Sequence, residues 1–283
     1  MRLRWRDFDL DLSSKTHVMG ILNITPDSFS DGGLFYEPER AVEHALKMIE
    51  DGADIIDIGG ESTRPGSEPV SPEEEIKRVV PVIKKLSVQS KVPISIDTYK
   101  SKVVSAAIDA GASIVNDISG LRFDPEMKKV VAKNRLPVVI MHIKGTPKTM
   151  QLNPQYDALI PEIMDYLREG IMIARDAGIS EDLIIIDPGI GFGKTFEHNL
   201  EVIKNLREFT YLEKPILIGP SRKAFIGKIL GDVPPLMRLE GTLAAVAISA
   251  YNGANIVRVH DVRETVKVLK VVDAIKKGKI PVC

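Results

Sequence analysis

Polar residues recur where the short apolar runs of this 283-residue sequence end. Each run is rich in Ile, Val and Leu, and a carboxylate, an amide, an imidazole or a cation follows it closely. In chain order these end residues are Asn23, Asp57, Asp97, Asn116, Asp117, His142, Asp187, Ser221, Arg222, Lys223, Arg258 and His260. If the runs are strands of a parallel barrel, their carboxyl ends meet on one face, and the polar residues share one site.

Four of these residues suit a flat heterocycle. The carboxylates of Asp97 and Asp187 accept hydrogen bonds, and the amide of Asn116 both donates and accepts them. An amino-pyrimidinone edge presents N–H donors beside a carbonyl, and Lys223 suits that carbonyl or a ring nitrogen. The side chains that could cover the two faces of the ring are Met141 and Phe192.

A second group suits a phosphate or diphosphate. It consists of Asn23, Arg258 and His260, and charged donors make strong hydrogen bonds to phosphate oxygens. Asn23 alone is a poor metal ligand, but it could hold Mg²⁺ if phosphate oxygens and waters complete the octahedron. The sequence therefore predicts two adjoining subsites, one for a ring and one for an anion.

Each of these residues also has a structural explanation. Asp97 could cap the helix that follows it, and Asn116 could bond backbone in a turn. Arg258 could pair with Asp261 or Glu264, and the histidines at the strand ends could be structural. Taken singly, none of the residues decides the matter. Capping is a poor explanation, however, for polar residues at every one of the strand ends.

A glycine-rich segment gives a misleading signal. Residues 189–195 read GIGFGKT, but Pro188 stands where the phosphate-loop pattern G-x-x-x-x-G-K-[ST] needs its first glycine. The sequence also holds no dinucleotide fingerprint, H-x-x-x-H, C-x-x-C or nucleophile elbow. We therefore expect a reaction that needs no covalent intermediate on the protein.

The elements that would position these residues alternate between strand and helix. Eight apolar runs are nearly continuous, which is typical of parallel strands buried on both faces. They lie at 17–22, 53–58, 92–96, 113–117, 137–141, 183–187, 215–219 and 255–259. Three of them follow a helix-stopping glycine, at Gly52, Gly111 and Gly253. The pattern predicts a (β/α)₈ TIM barrel as a single domain over 1–283, with a short N-terminal β-hairpin over 1–14.

Helical patterns fill the intervals between the strands. They are predicted at 38–51, from 71, and at 99–110, 156–177, 235–252 and 262–277. Ser71 begins a capping box, with Pro72 at the first helical position. Pro81 conflicts with that helix, so we expect a kink or a later start there.

Composition narrows the class of protein. The chain is 44% hydrophobic and 27% charged, as expected of a globular protein with a large core. Its net charge of −1 gives no broad attraction to nucleic acid or membranes. The one cysteine, Cys283, excludes a disulfide framework within the chain, and no apolar run approaches the roughly 18 residues of a membrane span. Because the first residues lack an apolar signal core, we expect a cytoplasmic protein.

The strand-end motifs resemble those of the dihydropteroate synthase family, the pterin-binding enzymes of folate biosynthesis that sulfonamides target. The matching segments are GILNITPDSFSDGG (20–33), IDIGGESTRPGS (56–67), SIDTYK (95–100), NDISG (116–120), DPGIGFGKT (187–195), GPSRKAFIG (219–227) and VRVHDV (257–262). The resemblance covers almost the whole chain. It implies condensation of 6-hydroxymethyl-7,8-dihydropterin diphosphate with p-aminobenzoate, in which diphosphate leaves first with the help of Mg²⁺.

The resemblance also implies roles for individual residues. The pterin would be held by Asp97, Asn116, Asp187 and Lys223, with Met141, Gly191 and Phe192 also at the substrate. The diphosphate would meet Arg258, His260 and Thr63, with Asn23 at the metal. The p-aminobenzoate pocket would use Thr63, Arg64, Pro65 and the segment from Ser221 to Ala224. The residues implied in catalysis are Asp97, Lys223, Arg258 and His260, and Phe29 and Asp31 would lie on a mobile lid.

Two departures and two rival functions remain at this point. Ala224 stands where the family often has Ser, and Ile190 stands where an aromatic residue is common. A corrinoid-dependent pterin-binding methyltransferase would share the Asp–Asn–Asp set, and a non-catalytic pterin-binding barrel is the alternative from another class.

The resemblance implies a homodimer. Residues 243–251 offer an apolar face for it or, equally, could belong to the barrel core.

Overall fold

A small antiparallel hairpin precedes the main sheet of the structure, a computed structural model that describes residues 1–25 and 38–279. Strand β1 (Arg2–Trp5) pairs with β2 (Phe8–Asp11), and the rings of Trp5 and Phe8 stack with centroids 5.1 Å apart. The Arg6 guanidinium donates to the Ala112 carbonyl, just before a barrel strand begins, so the hairpin lies at the amino ends of the strands. The predicted N-terminal hairpin is confirmed.

Eight parallel strands form the main sheet, as predicted. They are β3 (His17–Asn23), β4 (Ile55–Gly59), β5 (Ile94–Asp97), β6 (Ile114–Asp117), β7 (Val138–Met141), β8 (Ile184–Asp187), β9 (Leu217–Ile218) and β10 (Ile256–Val259). Their spatial order is β8-β7-β6-β5-β4-β3-β10-β9, and a parallel bridge between Ile186 and Ile216 joins the two outer strands. The sheet therefore closes on itself as a (β/α)₈ barrel.

Helices follow the strands and cover the barrel. They are α1 (Pro38–Glu50), α2 (Pro72–Gln89), α3 (Ser101–Ala110), α4 (Met127–Asn134), α5 (Leu159–Asp176), α6 (Phe196–Lys204), α7 (Ala224–Ile229), α8 (Leu239–Tyr251) and α9 (Val262–Lys277). The pattern at 235–252 begins with a 3₁₀ turn, Pro235–Met237, so α8 itself is shorter than predicted. No helix in the described ranges is long and apolar enough to cross a membrane.

The helix that contains Pro81 starts where its capping box predicts. The Ser71 hydroxyl accepts a hydrogen bond from the Glu74 N–H at 3.1 Å, and Pro72 occupies the first turn. A late start at Pro81 was therefore the wrong alternative, because the first turn is already capped and carries three glutamates at the positive end of the helix dipole. Pro81 lies inside a single continuous helix.

The repeated glycines end helices in the left-handed conformation. Gly52, Gly111 and Gly253 have φ of 104°, 120° and 115°. At Gly111 a Cβ would also lie 2.6 Å from the Cβ of Ser87, so the helix–helix approach excludes a side chain there. The next strand begins three positions after each glycine, at Ile55, Ile114 and Ile256, as the repeated pattern predicts.

Candidate active site

The Asp57 side chain on β4 connects polar residues of β6 and β10 by hydrogen bonds. Its side chain is fully buried, and its Oδ2 accepts hydrogen bonds from Arg258 Nε at 2.5 Å and from Asn116 Nδ2 at 3.1 Å. Asp57 was predicted among the polar strand-end residues, without a role of its own. An aspartate inside an otherwise apolar strand was the available signal, since a buried carboxylate needs partners.

Arg258 links two carboxylates across the barrel. Its Nη2 donates to Asp97 Oδ2 at 2.7 Å while Nε donates to Asp57. The alternative pairing of Arg258 with Asp261 or Glu264 is therefore wrong. The second oxygens of Asp57 and Asp97 are buried, and neither has a hydrogen-bond partner among the described residues. Burial raises the pKa of the Asp97 carboxyl, and Arg258 opposes that increase.

Asp187, Lys223 and Phe192 form the other side of the pocket. The Asp187 carboxylate accepts the Gly189 N–H at 2.7 Å, so the turn after β8 fixes its orientation. The Lys223 ammonium lies 4.4 Å from the centroid of the Phe192 ring. Gly191 has φ of 83°, and a Cβ there would lie 3.2 Å from Lys223 Cδ, so glycine lets the lysine pass close to the loop.

The pKa values of Asp187 and Lys223, on this side of the pocket, are both shifted toward neutral pH. Burial raises the pKa of Asp187 to about 6, although the Gly189 N–H and Lys223 act in the opposite direction. Burial lowers the pKa of Lys223 to about 8, and Arg258 adds to the decrease. A carboxylate and an ammonium with such pKa values are typical of residues that hold or exchange protons with a ligand.

Two contacts connect the loops after β9 and β10. Ser221 Oγ lies 3.0 Å from His260 Nδ1 and accepts the His260 backbone N–H at 3.2 Å. Arg222 donates from Nε and Nη2 to the two oxygens of Asp261, at 3.0 and 2.6 Å. Burial lowers the pKa of His260 to about 3, with Arg222 acting in the same direction, so the imidazole is neutral.

Arg222 was predicted only as part of the segment from Ser221 to Ala224, with no role of its own, and its backbone is strained. Its φ is 56°, a conformation that few non-glycine residues adopt. Its N–H donates to Thr242 Oγ1 at 3.0 Å, and its carbonyl accepts Arg238 Nη1 at 2.9 Å. The surroundings therefore hold this residue in place between Ser221 and Lys223, as is common where strain fixes a functional loop.

His142 is occupied by a structural contact. Its Nδ1 lies 2.8 Å from the Nζ of Lys194, and both side chains are buried. Burial and the Lys194 ammonium keep the pKa of His142 well below its usual value. The structural alternative therefore holds for this histidine, and the pair ties the loop after β7 to the loop after β8.

The apolar lining predicted for the ring forms a separate cluster at the carboxyl face. Met141 and Phe192 are 3% and 9% exposed, and both belong to a small buried group with Ile118, Ile143 and Met150. Ile190 lies in the main core instead, at 2% exposure. The replacement of an aromatic residue at Ile190 therefore concerns the packing of the core.

The remaining predicted residues lie on loops. Thr63 is partly exposed, Arg64 and Pro65 are exposed, and all three follow β4. The charge of Arg64 adds to the lowering of the Lys223 pKa, after burial and Arg258. The predicted lid residues, Phe29 and Asp31, lie outside the described residues.

Asn23 ends β3, beside Gly59 of β4, and its side chain makes no hydrogen bond to the described residues. No cluster of three or more His, Cys, Asp or Glu side chains suited to a metal occurs within 1–25 and 38–279. A single amide oxygen fits Mg²⁺ only where substrate phosphates and water supply the other ligands, which is the usual way this ion binds. The residues present are consistent with that arrangement.

Comparison with known proteins identifies the class. The family model of pterin binding enzymes matches residues 19–260. A dihydropteroate synthase of Bacillus subtilis is 49% identical over 272 residues, covering 96% of this chain and 93% of that protein. The chain therefore belongs to the pterin-binding enzymes.

Solved structures agree with that assignment. Dihydropteroate synthase of Yersinia pestis, in complex with a sulfonamide drug, superposes with a TM-score of 0.93 at 45% identity, over 98% of this chain and 100% of that one. The Xanthomonas albilineans enzyme in complex with 7,8-dihydropteroate gives 0.89 at 42% identity, over 98% and 99%. The enzyme activity of the chain is that of a dihydropteroate synthase.

Proposed function

We propose a dissociative route for the condensation that this enzyme performs in folate biosynthesis. The reaction joins 6-hydroxymethyl-7,8-dihydropterin diphosphate to p-aminobenzoate and yields 7,8-dihydropteroate and diphosphate. The C–O bond to diphosphate breaks first, the methylene carbon becomes cationic, and the arylamine nitrogen then attacks it and loses a proton. The observation that carries this route is the cluster of buried carboxylates around one arginine at the strand ends.

The strand-end carboxylates suit both the ring and the cation. Asp187 and Asp97 accept hydrogen bonds from the N–H edge of the pterin, and Asn116 is oriented for the same edge by its bond to Asp57. Lys223 donates to the ring carbonyl or a ring nitrogen. The negative carboxylates favour the developing cation, and the buried setting strengthens that interaction.

The departing diphosphate meets Arg258 and His260. Arg258 donates from Nε and Nη2 to carboxylates, whereas its Nη1 makes no hydrogen bond to the described residues. Nη1 can therefore donate to a phosphate oxygen while the two bonds to the carboxylates persist. Because Ser221 Oγ contacts Nδ1 of His260, the Nε2 of the neutral ring can carry its proton toward the anion. Bound Mg²⁺, held by Asn23 and the phosphates, would add charge neutralisation.

The loop after β4 and the segment from Ser221 to Ala224 supply the arylamine pocket. Arg64 offers a cation for the carboxylate of p-aminobenzoate, and Thr63 and Pro65 lie beside it on the loop. Ala224 is exposed and has no hydroxyl to offer, so this pocket depends on backbone and on the neighbouring side chains. Closure of these loops would keep water away from the cationic methylene.

Diphosphate release measured with and without p-aminobenzoate tests the proposal. We expect release coupled one to one with formation of 7,8-dihydropteroate, and slow hydrolytic release in the absence of the arylamine. Transfer of a methyl group would support the methyltransferase alternative, and binding of the pterin without any release would support the non-catalytic barrel.

Association into a homodimer is a further part of the proposal. Helices α8 and α9 leave an apolar groove of 240 Å³, lined by Ala247, Ile248, Tyr251, Val272 and Ile275. Tyr251 and Ile275 are 54% and 64% exposed, which a second copy would cover. Light scattering on the intact chain and on Ile275→Glu tests this, since a dimer through this groove should dissociate. A cytoplasmic location stays a prediction that cell fractionation would test.

A further inference from the structure

Glu61 closes the loop that follows β4, which comprises residues 61–70 and is called here the β4 loop. The Glu61 side chain is 6% exposed, and each of its oxygens is occupied. Oε1 accepts the Tyr99 hydroxyl at 2.7 Å, and Oε2 accepts Lys100 Nζ at 2.5 Å and the Val70 N–H at 2.8 Å. The first and last residues of the loop are thus held together through one carboxylate.

Lys100 extends this contact to a second buried carboxylate. Its ammonium lies 2.6 Å from Glu75 Oε2 on α2, and the Glu75 side chain is 0% exposed. Burial raises the pKa of Glu75, although Lys100 acts in the opposite direction. Removing two carboxylates and one ammonium from water costs desolvation free energy, and apolar side chains of similar volume would stabilise the fold at least as well. The cluster is therefore better explained by the geometry it imposes than by stability.

The same cluster is attached to the pocket. Tyr99 and Lys100 come directly after Asp97 and Thr98, at the end of β5. The Tyr99 ring also packs against the small apolar group that contains Met141 and Phe192. Glu61 therefore bonds to the strand end that carries a pterin-facing carboxylate, and this contact sets where the β4 loop starts relative to the pocket.

The tip of the β4 loop has weaker supports. Ser67 Oγ donates within the loop to the carbonyls of Ser62 and Arg64, at 2.5 and 2.8 Å. The outer ion pair, Lys148 with Glu68 at 2.7 Å, has side chains 60% and 72% exposed and is screened by solvent. The Gly66 N–H also donates to the Pro147 carbonyl at 3.2 Å. Of the two ionic contacts of the loop, the buried one at Glu61 holds it more firmly than the exposed one at Glu68.

We propose that Glu61 is a positioning residue for the arylamine: it holds the β4 loop against Tyr99 and Lys100, so that residues 63–65 meet p-aminobenzoate. This inference rests on the proposed function, because it takes the tip of the loop as part of the arylamine pocket. It predicts that loss of the contact affects the second substrate and spares the pterin, which the strand ends hold.

The test compares Glu61→Gln with Glu68→Gln, which makes the same change at the exposed end of the same loop. Glu61→Gln presents an amide to Lys100 and should raise the KM for p-aminobenzoate about tenfold. Its affinity for the pterin diphosphate, measured by calorimetry, should stay within about twofold of that of the unmodified chain. Tyr99→Phe removes one of the three bonds to Glu61 and should give a smaller increase in KM. Glu68→Gln should change neither quantity.

A purely structural role would lower the melting temperature and the fraction of active enzyme while both substrate constants stay the same. That result, or an equal loss of pterin affinity in Glu61→Gln, would overturn the inference. If Glu61→Gln does not fold, Tyr99→Phe decides by the same criterion. Failure of the proposed function is recognised separately, because the unmodified chain would then form no 7,8-dihydropteroate.

Discussion

Asp97, Asn116 and Asp187 lie at strand ends and are at most 9% exposed, whereas residues 63–65 lie on a loop that reaches solvent. The first group is held by the hydrogen-bonded ladder of the barrel and by buried partners such as Asp57. The second is held by the carboxylate of Glu61 and by isolated backbone hydrogen bonds such as that from the Gly66 N–H to the Pro147 carbonyl. One side of the pocket is therefore formed before any ligand arrives, and the other depends on a few contacts that single substitutions can remove.

The largest effect is expected at Arg258, the cation shared by the strand ends. Arg258→Ala should lower kcat/KM about 10³-fold, because the departing diphosphate loses a charged donor. It also leaves the buried carboxylate of Asp57 without its cation, which should cost about 3 kcal/mol of unfolding free energy.

Steady-state kinetics and thermal unfolding separate these two effects. The double variant Arg258→Ala/Asp57→Asn should recover part of the stability but not activity, because it removes one of the two carboxylates left without Arg258, the other being Asp97, and does not restore the donor. An unchanged kcat/KM in the single variant would remove Arg258 from the reaction.

A substitution of Asp187 tests the strand-end residues on the other side of the pocket. Asp187→Asn should weaken pterin binding about 30-fold, since a charged hydrogen-bond acceptor is replaced by a neutral amide. Calorimetry measures this directly. Asp182→Asn, at the exposed turn before the same strand, is the matched control and should bind normally. Full affinity in Asp187→Asn would exclude this residue from the pterin subsite.

The pH dependence follows from the shifted groups of the same side. Protonation of Asp187 removes an acceptor, so kcat/KM for the pterin should fall about tenfold per unit below pH 6, where its pKa lies. Deprotonation of Lys223 should give a second decline above about pH 8. Calorimetry with a phosphate-free pterin measures the pH dependence of binding affinity without the titration of the ligand phosphate. An affinity that does not change with pH would contradict the roles of Asp187 and Lys223 in binding the pterin.

The stability of the fold should change with pH in the opposite sense. Because burial raises the pKa of Asp187 from 3.8 to about 6, the folded chain binds more protons than the unfolded chain between these values. The free energy of unfolding should therefore decrease as pH rises through this window and stay lower above it. Chemical denaturation of the unmodified chain and of Asp187→Asn at several pH values isolates this contribution.

The smallest effect is expected at the contact between the loops after β9 and β10. Arg222→Ala removes both bonds to Asp261, whose side chain is 17% exposed, and should lower kcat/KM about fivefold. Arg175→Ala breaks an exposed ion pair with Glu181 and serves as the control, with no change expected. Equal activity of Arg222→Ala and Arg175→Ala would mean that this contact does not position Lys223 or His260.

The strands, the helices and the residues at the strand ends were easier to predict from the sequence than the loop contacts. Apolar runs, helix-stopping glycines and the capping box at Ser71 are local signals, and they gave eight strands in the right order. Strand-end polarity also pointed to Asp97, Asn116 and Asp187, because a barrel brings strand ends together whatever their separation in the chain. The start of the helix with Pro81 was uncertain, since propensity and capping opposed each other.

The contacts that hold the loops could not be predicted in the same way. Glu61 with Lys100 and Arg222 with Asp261 are separated by 39 residues in each case. No local pattern distinguishes such pairs from ordinary surface charges. Asp57 was visible as an aspartate within a strand, yet only the three-dimensional arrangement shows that it orients both Arg258 and Asn116.

A calorimetric titration of Arg64→Ala/Pro65→Ala with a phosphate-free pterin tests the division of the pocket most directly. The strand ends should bind the pterin with a Kd within about twofold of that of the unmodified chain, while the KM for p-aminobenzoate rises about tenfold. A loss of pterin affinity as large as that expected for Asp187→Asn would contradict the account, because the β4 loop would then belong to the pterin subsite.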